Sequence, residues 1–229
     1  MKDSIYHYLV DHPPAFELFK KLESSGNLYL IGGVLREYKD HHTITSLRDI
    51  DIIIDVKDSK RWSDAINSVG MRTNRFGGYK LFCQSLLIDI WPIEETWAFR
   101  NHIIKCSSDE YFQYLPKTVF LNIDGIIYDW QSCRWLDDEY QAAMTTRIID
   151  VVLPQNPYIP LNILRAFVLK ERYQLSLSSK LIQIISQEVS DSESLSQFAN
   201  ILYDEQLRRY KATLLSKARI LELLHSSLD

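Results

Sequence analysis

Two aspartates stand two residues apart at the start of a β-branched run, in Arg48-Asp49-Ile50-Asp51-Ile52-Ile53-Ile54. Residues i and i+2 share one face of a strand. Asp49 and Asp51 therefore present two carboxylates side by side, with Ile50 turned the other way. Carboxylates held that close repel each other unless a cation lies between them. A third acid, Asp89, sits in Leu87-Ile88-Asp89-Ile90-Trp91, where burial without a partner is costly. Brought together on neighbouring strands, Asp49, Asp51 and Asp89 form a hard-oxygen site suited to Mg²⁺ or Mn²⁺. Two such ions activate an acceptor hydroxyl and stabilise a leaving pyrophosphate in an in-line displacement. Taken singly, each acid has a plainer reading as a solvated residue at a strand edge.

Upstream, Leu28-Tyr29-Leu30-Ile31 runs into Gly32-Gly33. Adjacent glycines let the backbone approach a bulky anion and turn N–H groups toward phosphate oxygens. Arg36, one helical turn on, could add a bidentate contact to the same phosphates. An ordinary turn is the competing reading of Gly32-Gly33 alone.

These residues need a scaffold, and the pattern supplies one. Ser4 to Leu22 reads as helix restarted at Pro13-Pro14, and Leu28 to Ile31 as a buried strand with a helix after Val34. Ile50 to Val56 is a strand by its β-branched content. Ser59 to Val69 is a helix capped by Ser59 and stopped at Gly70. Met71 to Gln84 has the composition of a hairpin around Gly77-Gly78. Leu86 to Trp91 and Val119 to Tyr128 read as further strands. After Pro154 the spacing becomes helical: Leu161–Tyr173, Ser179–Glu188, Ser194–Asp204 and Glu205–Leu224. The last carries Leu207, Leu214, Leu215, Ala218, Leu221 and Leu224 mostly on one face, to close the helical part or to meet a second copy. The expected fold is α+β, a small mixed sheet flanked by helices over residues 1–153, followed by an all-helical part over 154–229.

Composition narrows the class. With 229 residues, 46% hydrophobic and 24% charged, the chain can bury a core of its own. No apolar run approaches the roughly 18 residues that span a membrane, and Met1-Lys2-Asp3-Ser4 does not open a signal peptide. Cys83, Cys106 and Cys133 match no zinc spacing and read as reduced cytoplasmic thiols. A net charge of −4 argues against a surface coated in Lys and Arg for nonspecific nucleic-acid binding, while leaving room for a local basic groove.

Leu30-Ile31-Gly32-Gly33-Val34-Leu35-Arg36-Glu37 followed by Arg48-Asp49-Ile50-Asp51 resembles the head of the polymerase-β-like nucleotidyltransferases. Within them it is most similar to bacterial poly(A) polymerases and class II CCA-adding tRNA nucleotidyltransferases, with Asp89 fitting their third acidic position. Looser likenesses follow at Asn122–Tyr128 and at Pro160-Leu161-Asn162-Ile163-Leu164-Arg165-Ala166-Phe167, which resembles the segment opening the family's helical neck. The resemblance implies an enzyme that uses an NTP and two Mg²⁺ or Mn²⁺ ions to modify an RNA 3′ end, tRNA among them. It implies Gly32, Gly33, Arg36 and Arg165 as nucleotide contacts; Arg165 could equally be a surface residue.

Three departures matter. Glu37 stands for the family's Asp, and Thr118-Val119-Phe120 stands where an Arg-Arg-Asp is usual. The base-reading positions of the neck are Tyr158, Ile159 and Asn162, without the carboxylate and guanidinium that pair with ATP or CTP. The chain also ends soon after the neck-like segment, short of the parts that hold tRNA in those enzymes. Arg75-Phe76-Gly77-Gly78-Tyr79-Lys80 offers other contacts: Lys80 to neutralise triphosphate charge, Tyr79 to stack on a base. A surface lysine and a packing tyrosine are the competing readings. The functions left open are transfer to RNA, transfer to a small molecule or protein in a toxin or defence setting, and a noncatalytic nucleotide-binding module.

Overall fold

The computed structural model of the chain describes residues 1–44, 47, 49–68, 72–73, 77–83 and 86–228. Arg48, Arg75, Phe76 and the expected helix stop at Gly70 lie outside the described residues. The chain forms two compact units, Met1–Thr118 with Asp124–Asp138, and Val119–Ile123 with Glu139–Asp229. The change of composition at 153/154 falls inside the second.

The first unit opens with α1 (Lys2–Leu9) and α2 (Pro13–Glu23). They divide where Pro13 and Pro14 take the first turn of α2, a place whose N–H groups have no intrahelical partner to lose. There follow β1 (Gly26–Ile31), α3 (Gly33–His41), β2 (Asp49–Val56) and α4 (Ser59–Ser68). Next come β3 (Arg72–Thr73), β4 (Tyr79–Cys83) and β5 (Leu86–Pro92). Single-turn helices α5 (Trp97–Arg100) and α6 (Tyr111–Tyr114) precede β6 (Ile127–Asp129) and β7 (Trp135–Leu136). The seven strands make one mixed sheet in the order β3-β4-β5-β2-β1-β6-β7. Among the described residues of this sheet, only the central β2–β5 pair is parallel.

One face of this sheet is a dry core. Ile50, Ile52, Ile88 and Ile90 are fully buried on it, each stabilising the fold by about 1.5–3 kcal/mol. Helix α2 lies on β1 and β4 and packs against α4. At its end Glu23 accepts hydrogen bonds from the Tyr6 hydroxyl and the Trp130 indole, tying both N-terminal helices to the chain just past β6. The cap of α4 is Asp58 rather than Ser59: its Oδ1 accepts from the Arg61 N–H at 3.0 Å.

Val119 to Tyr128 is not the continuous strand its composition suggests. Residues Asn122–Asp124 form a 3₁₀ turn and only Ile127–Asp129 joins the sheet. The Asn122 side chain explains the break, since its Oδ1 accepts from the N–H groups of Ile123 and Asp150. Residues Val119–Ile123 are thereby bonded into the second unit, where Leu121 also bridges Val151.

That unit contains α7 (Asp138–Thr146), β8 (Ile148–Ile149), α8 (Ile159–Tyr173), β9 (Ser176–Leu177), α9 (Ser179–Ser190), α10 (Leu195–Tyr210) and α11 (Lys217–Leu228). Strands β8 and β9 pair in parallel. Buried Ile163, Leu164, Phe167, Leu181, Phe198, Leu202 and Leu224 form its core. The last two helices meet at residues 211–216, not at Asp204/Glu205. Gln206 sets that corner: fully buried, it accepts from the N–H groups of Leu214 and Leu215 and donates to the Leu215 carbonyl. The corner splits the apolar stripe expected over Leu207–Leu224, leaving Leu207 and Leu214 exposed and Leu224 buried.

Candidate active site

Strand register brings the three aspartates to one place. Asp51 stands opposite Asp89 across the parallel β2–β5 ladder, and Asp49 stands opposite Leu87. Paired residues share a face, so Asp49, Asp51 and Asp89 lie together on the face away from the isoleucine core. All three are half-buried. On the other side of β2, Ile31 of β1 is paired with Asp51, and the chain turns there through Gly32.

Gly32 adopts φ 81° and ψ −133°, a conformation essentially reserved for glycine. A Cβ at this position would stand 3.5 Å from Oδ2 of Asp51. The turn therefore lets the start of α3 lie close against the Asp51 carboxylate. Helix α3 begins at Gly33, so its first N–H groups and its positive dipole end are presented beside the acids.

Lys80 lies in register with Asp89 across β4–β5, and its ammonium forms an ion pair with Oδ2 of Asp89. Both side chains keep some solvent exposure. Tyr79, one residue earlier, is paired with the buried Ile90 and points to the opposite face. There its ring meets Trp62 of α4 edge-on at 5.6 Å. Tyr79 is a packing residue rather than a base platform at the carboxylates.

Arg36 is also placed otherwise than a phosphate ligand would be. It is 7% exposed and its guanidinium forms a buried ion pair with Asp124. Its Nε has no hydrogen-bond partner among the described residues. The guanidinium lies near Gly33, where a Cβ would stand 3.8 Å from Arg36 Nη2, an ordinary contact. Arg36 thus anchors α3 from inside. Arg165 lies on α8 in the second unit, half-buried between Leu164 and Ala166.

Other side chains share the carboxylate face. Tyr29, paired with Ile53, stacks on Phe112 at 4.7 Å, with the Arg134 guanidinium 4.8 Å over the Phe112 ring. Burial, together with Asp55 and Asp129, pushes the Tyr29 phenol up to about 12, so it stays neutral at ordinary pH. Trp91 donates from its indole to Thr96 Oγ1 at 3.1 Å, and Phe99 stacks on Tyr111 at 4.3 Å. Both aromatics serve the fold. Sequence reading missed Phe82, which is two residues beyond Lys80 on the same face and 64% exposed. Period-two alternation from Lys80 was its signal.

Among the described residues, no three His, Cys, Asp or Glu side chains stand as a group that could hold a metal ion. Asp89 is engaged by Lys80. The donor chemistry nonetheless fits a hard divalent cation. Asp49 and Asp51 are oxygen donors on one face, and the ammonium at Asp89 marks a position where the fold already sets a positive charge against these acids.

Solved structures share this arrangement of strands and helices. A CCA-adding enzyme with ATP superposes with a TM-score of 0.63 at 15% identity, over 96% of this chain and 52% of that one. A tRNA nucleotidyltransferase complexed with a primer tRNA and an incoming ATP analog gives 0.57 at 18% identity, over 88% of this chain and 57% of that one. The fold is that of the tRNA nucleotidyltransferases. A tRNA-processing enzyme with CTP shows the same nucleotidyltransferase fold, with a TM-score of 0.56 at 17% identity over 88% of this chain and 53% of that one. This chain spans a little over half the length of each. At such identities the likeness is one of nucleotidyltransferase fold, in agreement with the mixed sheet flanked by helices and the helical C-terminal part. No family model and no curated protein matches the sequence. Among the described residues no helix is long and apolar enough to cross a membrane, and Cys106 and Cys133 carry free thiols.

Proposed function

We propose that the chain is a metal-dependent nucleotidyltransferase that moves a nucleoside monophosphate from an NTP to a hydroxyl acceptor, an RNA 3′ end foremost. The observation that carries this reading is the register of Asp51 beside Asp89, with Asp49 on the same face, against the Gly32 turn. Its support from outside is the fold shared with proteins whose structures hold ATP, CTP or tRNA.

The acceptor oxygen attacks the α-phosphorus. A new P–O bond forms, the bond to the β-phosphate bridge breaks, pyrophosphate leaves, and the hydroxyl proton passes to solvent or a nearby base. Asp49 and Asp51, with Asp89 once Lys80 lets it go, would hold Mg²⁺ or Mn²⁺. Such ions, two in this reading, would lower the acceptor hydroxyl's pKa and would offset charge on the leaving pyrophosphate. The N–H groups at Gly32 and Gly33 cradle the β- and γ-phosphates at the start of α3. Lys80, released from Asp89, turns its ammonium to the triphosphate.

Choice of base differs from a code that uses a carboxylate and a guanidinium on the neck. Asn162 donates to the Pro157 carbonyl at 3.1 Å and to Asn156 Oδ1 at 3.3 Å, so its amide closes the turn before α8. Tyr158 occupies that turn with φ 63°.

The test is incubation with Mg²⁺ or Mn²⁺, each labelled NTP and total cellular RNA, beside an Asp49→Ala/Asp51→Ala control. Label entering RNA only with the wild-type chain supports the reading and identifies the nucleotide. Removing the metal-holding carboxylates should cost several kcal/mol of transition-state stabilisation, on the order of 10³-fold in rate. A second reading, a nucleotide-binding module without turnover, draws on the Lys80–Asp89 ion pair, which neutralises the third acid. NTP binding with no transfer to RNA, protein or small molecules would favour it.

A further inference from the structure

In-line transfer fixes more than the metal site. The nucleophile must enter opposite the leaving group. With pyrophosphate held at the Gly32-Gly33 turn, on the β1 flank of the carboxylates, the acceptor must arrive from the other flank. The next strands on that side are β5, β4 and β3. Their carboxylate face is read directly from the registers. Asp89 is followed by Lys80 on β4 and Arg72 on β3, and Leu87, opposite Asp49, is followed by Phe82.

We propose that the β3–β4 hairpin is the acceptor platform of this site, with Phe82 stacking on the terminal base of a single-stranded RNA and Arg72 contacting its phosphates. This rests on the transferase reading for its direction of approach. The residues support it independently. Among the described residues Phe82 is the most exposed of the large apolar side chains, at 64%, yet it sits on a strand face beside half-buried Leu87. Two cations share that face of the hairpin, and Arg72 is exposed. An aromatic ring beside cations on an open face is the chemistry that binds single-stranded nucleic acid: each base has a π-face to stack and each linkage a charge to meet. Two strand spacings put Phe82 about 10 Å from the β2 carboxylates, within reach of the base whose ribose carries the attacking hydroxyl. Tyr79 cannot take this role, because it lies on the far face against Trp62. Lys80 sits between platform and acids, so a strand that draws its ammonium away also frees Asp89.

The test uses a short fluorescein-labelled single-stranded RNA with a free 3′ hydroxyl. Its binding is followed by anisotropy without NTP, and ATP binding is measured separately. Phe82→Ala should weaken RNA binding roughly tenfold or more, the loss of one stacked base. Phe82→Trp should restore it, and ATP affinity should not move. Arg72→Ala should weaken RNA binding and reduce its salt dependence by about one phosphate contact. RNA affinity that is the same in wild-type and Phe82→Ala chains overturns the platform, as does a wild-type chain that binds no RNA. Loss of ATP affinity in Phe82→Ala overturns it too, placing the ring under the incoming base. The two readings fail separately: Phe82-dependent RNA binding without transfer removes the transferase and keeps the platform. Transfer with Phe82-independent RNA binding does the reverse.

Discussion

Lys80 and Asp89 face each other across the β4–β5 ladder, and the ammonium of one closes on the carboxylate of the other. A divalent cation at Asp89 must therefore compete with a tethered monovalent one. In Lys80→Gln that competitor is gone. For a partly exposed pair the difference is about 1 kcal/mol after solvent screening, roughly fivefold in affinity. Titration with Mn²⁺, reading free ion by electron paramagnetic resonance, should show tighter binding to Lys80→Gln than to wild type, while transfer slows. Weaker Mn²⁺ binding in the variant would mean that Lys80 orders the acids rather than competing at them.

The buried Arg36–Asp124 pair makes a separate prediction. Removing one partner strands a charge in the interior, so Arg36→Met or Asp124→Leu alone should each lower stability by about 3–5 kcal/mol. The double variant should recover most of the loss, because two apolar side chains then fill the space. Urea denaturation of the four chains measures this. A double variant as unstable as the singles would show that a further group depends on the pair.

Gly32→Ala tests the turn. At φ 81° and ψ −133° a side chain costs about 1–3 kcal/mol, and the new methyl would stand 3.5 Å from the Asp51 carboxylate. The midpoint of urea unfolding should fall by that amount. NTP binding should weaken by more than the stability loss explains, measured well below the transition. An alanine with wild-type unfolding would mean the turn relaxes into another conformation.

Much of this was legible in the residues. β1 and β2 follow from their apolar and β-branched runs, and alternation alone puts Asp49 and Asp51 on one face. That Asp89 lies beside Asp51 depends on which strands pair and in what register, which no local pattern encodes. Asp124 lies 88 residues from Arg36, so the pair that buries both is invisible along the chain. Tyr79 is the opposite case. Neighbours on a strand point to opposite faces, so Tyr79 and Lys80 could not both have served one site, and alternation already said so. The corner between α10 and α11 was hidden because Gln206, a polar residue with good helix propensity, satisfies the turn's backbone from inside.

pH dependence offers a check on the second unit. Burial, and then Asp191, hold the Glu188 carboxyl on α9 above its ordinary value of 4.5. A raised carboxyl binds its proton more tightly in the folded chain, so ionisation costs stability. That cost is absent below the ordinary value, grows as pH climbs from it to the folded value, and is constant above. Glu188→Gln should therefore be more stable than wild type at neutral pH and lose that advantage in acid below 4.5. Thermal unfolding across this range reads the difference; an advantage that persists unchanged in acid would assign it to packing instead.

At its β7 edge the seven-stranded sheet ends in a strand of two residues, Trp135–Leu136. An edge that short offers another chain almost no ladder to extend. The longer strands β1, β2 and β5 lie inside the sheet, each with a neighbour on both sides. Strand addition at β7 should therefore contribute nothing to self-association of the folded chain, however concentrated the solution.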